Sequence, residues 1–260
     1  MDKTSHPFLF KFNWYNTHVD DFMKNLISST PKFIDRDIKV SCIVPAYNEG
    51  KRIGNVLDAI SSHEFVDEII VINDGSTDET QAVLNKRTDI KVIYFEKNRG
   101  KSHAVMHGLK SAKNDIIMTI DSDLIGLNKK DLTALMEPVL QGHVDKTMTL
   151  RKNSLLIFKM FNLDFISGER VFRKSIIDNL DDIGNLKSFQ LEPFLNNIIV
   201  KKKLQLRSIK WHGVITPRKF VKMGFWKGNM GDLKMILQII SFLGIKGIIK
   251  QFISMHFLKK

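Results

Sequence analysis

The chain has 260 residues, 43% hydrophobic and 26% charged, which suits one large folded domain with or without an appendage and excludes a disordered chain. Its one cysteine, Cys42, excludes an intramolecular disulfide and fits a reducing compartment, and its place in the apolar run VSCIV reads as a packed thiol. The net charge of +12 is concentrated at one end: residues 201–260 hold 14 Lys or Arg against the single acid Asp232, a composition that attracts phosphates of lipid, nucleotide or nucleic acid.

Residues 1–38 read as an aromatic, mixed-charge arm with helical spacing over 19–27 and a stop near Pro31. The opening MDKTSHPFLFKFNWY lacks the apolar core of a signal peptide, and no stretch offers 18 uninterrupted apolar residues, so no membrane span is expected. Strand and helix patterns then alternate: strand 39–44, helix 52–62, strand 67–72, helix 77–87, strand 91–95, helix 102–112, strand 116–120 and helix 131–141. That alternation predicts an α/β domain built on a mostly parallel sheet with helices on both faces. Residues 147–166 give no decisive period. A helix over 190–201 and a strand over 204–209 follow.

Ligands of open parallel sheets sit outside the carboxyl ends of the strands, so the residues after each strand are site candidates. They are PAYNE, NDGSTD, NRGK and DSD. Each alone could be an ordinary turn. Together they converge an aromatic, a basic pair and four carboxylates on one edge. Asp121 and Asp123, ending the apolar strand IIMTI, can present oxygens to a hard divalent cation that bridges to substrate phosphates. Lys101 adds a second positive charge for a departing diphosphate. Asp74 and the Gly75 backbone suit a nucleoside, and Tyr47 can pack on a base. Neither a GxxxxGK[ST] loop nor a GxGxxG loop is present, so a nucleoside triphosphate and a dinucleotide are not the expected ligands.

VSCIVPAYNE, EIIVINDGSTDET, NRGKSHAVMHGL and IIMTIDSDL resemble, in order and spacing, the successive blocks of family-2 glycosyltransferases with the GT-A fold across residues 39–140. The resemblance implies a GT-A domain over 39–215, Rossmann-like, with a helical basic extension over 216–260. It implies a base and ribose pocket lined by Pro45, Ala46, Tyr47 and Glu49, contacts to the nucleotide from Asp74, Gly75, Lys101 and Ser122, and Mg²⁺ or Mn²⁺ on Asp121 and Asp123. FISGERVFRKSII is similar to the G-F-R-x-x-R-K block of polyprenyl-phosphate sugar synthases, while its Gly-Glu step resembles glucosyl-phosphoglycerate synthases. FQLEPFL resembles the block of both groups that places a glutamate, here Glu192, below the acceptor pocket. His212 stands where some relatives keep a third metal ligand, or is a polar residue beside a surface Trp. The Q-x-x-R-W block of processive polysaccharide synthases is missing.

The chain shows no Glu-Asp pair where many inverting relatives keep a general base. A hydroxyl acceptor needs such a base near neutral pH, whereas a phosphate is already an anion. Glu169 could still serve as base or acceptor contact. Arg170 and Arg173 either hold an acceptor phosphate or bridge to nearby acids. Residues 235–258, MILQIISFLGIKGIIKQFISMHFL, carry Lys246, Lys250 and Ser254 every four residues among Ile, Leu and Phe. That profile suits a helix lying on an anionic membrane, or one packed on its own domain or a second subunit.

The expectation is therefore a metal-dependent enzyme moving sugar from a nucleotide-diphosphate sugar to a membrane-borne acceptor, polyprenyl phosphate first, at the cytoplasmic face of the membrane. The alternatives are transfer to a small soluble anion such as a phosphoglycerate, and a non-catalytic sugar-nucleotide-binding module. Nucleic acid is not an expected partner, and oligomer formation is open.

Overall fold

The computed structural model describes residues 38–187, 189–217 and 225–260, with the backbone alone over 225–236. The N-terminal arm with its helix expected over 19–27, and residues 218–224, lie outside the described residues.

β1 (Val40–Ala46) and β2 (Val66–Asn73) are Val- and Ile-rich and buried on both faces through most of their length, as central parallel strands require. α1 (Gly50–Ser61) packs on them through Ile53, Val56, Leu57 and Ile60, the i, i+3, i+4, i+7 spacing of one helical face. α2 covers only Thr80–Leu84, shorter than the helix expected over 77–87. Residues 77 and 78 are claimed elsewhere: the Thr77 amide donates to Asn48 Oδ1, and Asp78 accepts from the Gly50 amide.

β3 (Lys91–Tyr94), α3 (Lys101–Ser111), β4 (Ile116–Thr119) and α4 (Lys129–Leu140) follow the expected alternation. α4 starts in a capping box in which Asn128 accepts from the Lys130 and Asp131 amides. The stretch without a decisive period resolves into β5 (Lys146–Arg151) and α5 (Leu156–Phe161). Then come β6 (Arg170–Arg173), a 3₁₀ turn (Lys174–Ile176), α6 (Asp181–Gly184), α7 (Leu191–Lys201), β7 (Leu206–Trp211) and α8 (Phe225–Phe257).

The strands form one seven-stranded sheet in the order β3-β2-β1-β4-β6-β5-β7, with β6 antiparallel to both its neighbours. The carboxyl ends of β1, β2, β4, β5 and β7 therefore share one edge with the amino end of β6. α3 and α7 cover one part of the sheet through Val105, Leu109, Leu191 and Leu195, packed with Ile43, Ile72 and Phe172. A second core joins Met148 and Leu150 of β5, Phe158 of α5, Leu206 of β7 and Met255 of α8. Cys42 is fully buried, and that burial pushes its thiol pKa up, as expected of a packed cysteine.

α8 is two helices joined at Gly244, whose φ of 66° and ψ of 162° are not helical. Contrary to the sequence expectation, the stretch Leu237–Phe257, with a mean hydropathy of 1.3, is long and apolar enough to cross a membrane by length and composition. Its carboxyl half is nevertheless tied to the domain. The Leu206 amide donates to Leu258 O at 3.1 Å, and the Lys260 amide donates to Leu206 O at 2.9 Å.

Candidate active site

The site is built where the strands stop. After β1 the chain turns through Asn48, at φ 56°, and Tyr47 stands 46% exposed on the edge, free to meet a flat ligand. Glu49 begins α1 and pairs with Arg52 at 3.1 Å. After β2, Asp74 is buried and holds the next loop: its two oxygens accept the amides of Arg99 at 2.7 Å and Gly100 at 2.8 Å. Burial raises the Asp74 pKa, and the two amide hydrogen bonds oppose that rise. Gly75 has a φ of +69°, and a Cβ there would run into the backbone of Lys97 and Asn98, so glycine is required where these loops touch.

Asp74 thereby sets the start of α3, whose first residue is Lys101. The Lys101 ammonium lies 2.7 Å from Asp121 Oδ1 and 2.9 Å from Glu192 Oε1. Burial alone would lower its pKa; the charges of Asp121 and Glu192 outweigh that and hold it above the ordinary lysine range. Gly168 closes the group, since a Cβ at this position would meet the Lys101 ammonium and both carboxylate oxygens of Asp121. Its carbonyl accepts from Thr119 Oγ1 at 2.7 Å, which fixes the loop before β6 on the end of β4. The sequence expectations for Asp121, Lys101 and Glu192 thus meet in a single ion-paired cluster.

Sequence reading missed Arg151, the last residue of β5. Its guanidinium lies 2.7 Å from Glu169 Oε1 and 3.9 Å from Asp164 Oδ2. Burial would lower its pKa, but Glu169, Asp164, Asp121 and Asp123 all act in the other direction and together raise it. Arg151 is thus held by the residue that follows Gly168, the glycine lying against the Asp121 carboxylate. The strand-end rule would have found it had β5 been recognisable.

Several expected roles change. Glu169 is fully buried, and its carboxylate takes Arg151 on one oxygen and Thr149 and Ser167 on the other, at 2.7 and 2.8 Å. It orients Arg151 and is not placed to abstract a proton. Arg170 is buried too, donating to Phe165 O, Ser167 O and Asn196 Oδ1, so it braces the loop before β6 and not an acceptor phosphate. Arg173 lies at the opposite edge of the sheet, paired with Asp115 at 3.3 Å, because β6 runs antiparallel to β4.

His212 follows β7, next to Trp211, whose indole N–H donates to Asp131 O in the first turn of α4 at 3.1 Å. Its segment does approach the DSD loop, through the bridge between Ile125 and Ile215. Among the described residues no three His, Cys, Asp or Glu side chains gather as a metal group. Asp121 and Asp123 alone still fit the implied cation. Both are hard oxygen donors on one strand-end loop, and a magnesium-type ion keeps waters and completes its shell with substrate phosphates.

The parallel-sheet edge thus carries two loop carboxylates, a helix-starting lysine and an exposed tyrosine, at the place where open parallel sheets bind their ligands. The profile of Glycosyl transferase family 2 matches residues 41–180, and the chain belongs to that family. The chain is 36% identical over 90 residues to a poly-β-1,6-N-acetyl-D-glucosamine synthase of Staphylococcus epidermidis, covering 33% of this chain and 22% of that protein. It is 30% identical over 167 residues to a dolichyl-phosphate β-glucosyltransferase of Trichomonas vaginalis, covering 59% and 48%. The chain thus spans half or less of the length of these curated relatives. Its fold matches glucosyl-3-phosphoglycerate synthase of Mycobacterium tuberculosis, solved with Mn²⁺, UDP and glucosyl-3-phosphoglycerate, at a TM-score of 0.65 and 21% identity over 82% of this chain and 83% of that one.

Proposed function

We propose that the protein transfers a sugar from a nucleoside-diphosphate sugar to a membrane-borne phosphate acceptor of the polyprenyl-phosphate kind, at the cytoplasmic face of a membrane. The observation that carries this reading is the pairing of charges at the site mouth. Glu169 and Glu192 are both committed to cations, Arg151 and Lys101, and Glu169 follows the glycine that lies against the Asp121 carboxylate. An acceptor that is already an anion needs no general base and gains from a nearby guanidinium.

In this reading Pro45, Ala46, Tyr47 and Glu49 border the nucleoside, and Gly75 and Ser122 admit its backbone contacts. Lys101 exchanges part of its contact with Asp121 for the donor diphosphate and stabilises the negative charge that develops as the sugar leaves. Asp121 and Asp123 would hold Mg²⁺ or Mn²⁺, which when bound supplies further charge neutralisation on that diphosphate. Arg151, oriented by Glu169, draws the acceptor phosphate toward the sugar, and Glu192 borders the acceptor side. The dolichyl-phosphate relative acts on a lipid phosphate, which supports this class of acceptor. A small soluble phosphate such as a phosphoglycerate would satisfy the same charges, so the test must separate the two.

Radiolabelled nucleotide sugars are incubated with Mg²⁺ or Mn²⁺ and polyprenyl phosphate, and label is counted in the organic extract. Lipid-phase label that is lost with Asp123→Ala supports the proposal. Label that stays aqueous and appears on phosphoglycerate selects the soluble acceptor, and absence of turnover with every donor leaves a sugar-nucleotide-binding module.

A further inference from the structure

α5 and the carboxyl half of α8 expose more aliphatic surface than folding requires. In α5, Phe158 faces the core, while Leu156, Ile157, Met160 and Phe161 point outward and Leu156 and Met160 are 74% and 73% exposed. In α8, Gln251 and Met255 face the domain, while Ile245, Ile249, Ile253 and Phe257 recur every four residues and are exposed. At 100° per residue, residues spaced by four drift slowly along one side of a helix. Those four therefore line one flank, turned away from the buried one.

The two surfaces are continuous. Phe161 of α5 packs edge-on against Phe252 at 5.2 Å and His256 at 6.0 Å between ring centroids, and His256 meets Phe257 at 6.1 Å. The Lys259 ammonium also donates to Phe161 O at 2.8 Å. Lys159 lies on α5 and donates to Lys152 O, Lys246 and Lys250 lie on α8, Lys259 reaches Phe161 O, and the sequence from 237 to 260 contains no acid. An extended aliphatic and aromatic patch rimmed by one sign of charge matches an anionic lipid surface, with hydrocarbon below and phosphate at the rim. A second protein chain would be expected to meet some of these lysines with acids, and this chain offers none from the patch itself.

We infer that α5 and the outer flank of α8 together form a membrane-docking surface that lies in the interface of an anionic bilayer. Spanning is a different matter. Gly244 breaks α8, Met255 is part of the core, and the chain end is hydrogen-bonded to β7, so the carboxyl half would have to leave the domain to cross.

The surface also orients the site. α5 begins five residues after Arg151, and at its start an open depression of about 550 Å³ is lined by Lys152, Ser154, Leu155, Leu156, Lys159 and Ile215. Cations and aliphatic side chains share this lining, and Ile215 is bridged to Ile125, two residues beyond the DSD. In the lipid-acceptor reading, docking through α5 would bring the end of β5, and Arg151 with it, close to lipid headgroups. This rests on the lipid-acceptor reading for its purpose, but not for its test.

The full chain is floated with vesicles of phosphatidylcholine, with and without phosphatidylglycerol, in the absence of donor and acceptor. The wild type should bind the anionic vesicles, and Ile157→Ser/Met160→Ser and Ile249→Ser/Ile253→Ser should each weaken partition by about tenfold or more, with circular dichroism unchanged. Lys246→Gln/Lys250→Gln should lose the preference for phosphatidylglycerol. Wild-type protein that ignores both vesicles, or serine variants that bind as well as wild type, would overturn the inference. So would a dimer that Ile249→Ser/Ile253→Ser converts to monomer, because the flank would then be covered by a second copy. Vesicle binding without sugar transfer would leave the docking surface standing and count against the proposed reaction alone.

Discussion

Replacing Gly168 by alanine adds one methyl group at the point where Lys101, Asp121 and the loop before β6 meet. The new Cβ would lie 2.7 Å from both carboxylate oxygens of Asp121 and closer still to the Lys101 ammonium, where ordinary contact begins at 3.4 Å, so these groups must move by about 0.7 Å or more. The loop cannot simply retreat, because the Gly168 carbonyl is held by Thr119 Oγ1. The φ of Gly168 is outside the left-handed region, so the objection to alanine is steric and not conformational. A misplacement approaching 1 Å of groups that position reacting atoms costs up to about 100-fold in rate, and overpacking costs about 1–3 kcal/mol of stability. We expect Gly168→Ala to fold, to melt lower by roughly 2–10 °C, and to lose about 10- to 100-fold in kcat/KM for sugar transfer. The assays are thermal unfolding and steady-state transfer at saturating Mn²⁺. Transfer within twofold of wild type would refute the claim that Lys101 and Asp121 form the reacting cluster.

Asp123→Ala should keep its melting temperature within a few degrees and lose about 100-fold or more in cation-dependent transfer, read by titrating Mn²⁺ against rate. Lys146 is fully buried beside Asn196 at 3.2 Å, and burial, with Arg170 adding repulsion and Glu192 opposing, sets its pKa well below the ordinary lysine value. Lys146→Met should therefore be neutral or stabilising by about 1 kcal/mol in denaturant unfolding, because Asn196 keeps Arg170 as a donor; a clear loss would show that the ammonium is needed. His63 is buried, with Nδ1 accepting from the Phe65 amide and Nε2 bonded to Thr133 Oγ1, and burial and then Lys129 depress its pKa, with Glu64 opposing. The unfolded chain binds that proton more readily, so stability should be full above the ordinary histidine value near 6.5 and fall as pH drops below it. Unfolding series for wild type and His63→Gln across that range check this, and parallel curves would contradict it.

β1, β2 and β4 and their helices were legible because those strands are buried on both faces through most of their length and their apolar runs are long, from VSCIVPA to IIMT. The strand-end motifs were legible for the same reason: each marks the point where an apolar run stops at the open edge. β5 was not, since KTMTLR buries Lys146, Thr147 and Thr149 completely and so shows no apolar pattern. Those polar groups are satisfied inside, Thr147 by Leu135 O and Thr149 by Glu169, information that no local spacing carries. Missing β5 meant missing Arg151. α5 lacked a helical signature because its outward face is as apolar as its inward one, and Glu169 looked available because its partner was hidden in that same unread segment. In α8 the buried face includes Gln251, bonded to Pro193 O and Asn197, which inverts the usual pattern and disguised which flank packs.

The central claim is that the acceptor is a lipid phosphate that needs charge and not a base. Transfer from one active nucleotide sugar should be measured in parallel to a polyprenyl phosphate, to the matching polyprenol and to 3-phosphoglycerate. The account predicts label on the polyprenyl phosphate alone, with a rate that falls steeply in Arg151→Gln. Comparable labelling of the neutral polyprenol, unaffected by Arg151→Gln, would contradict it.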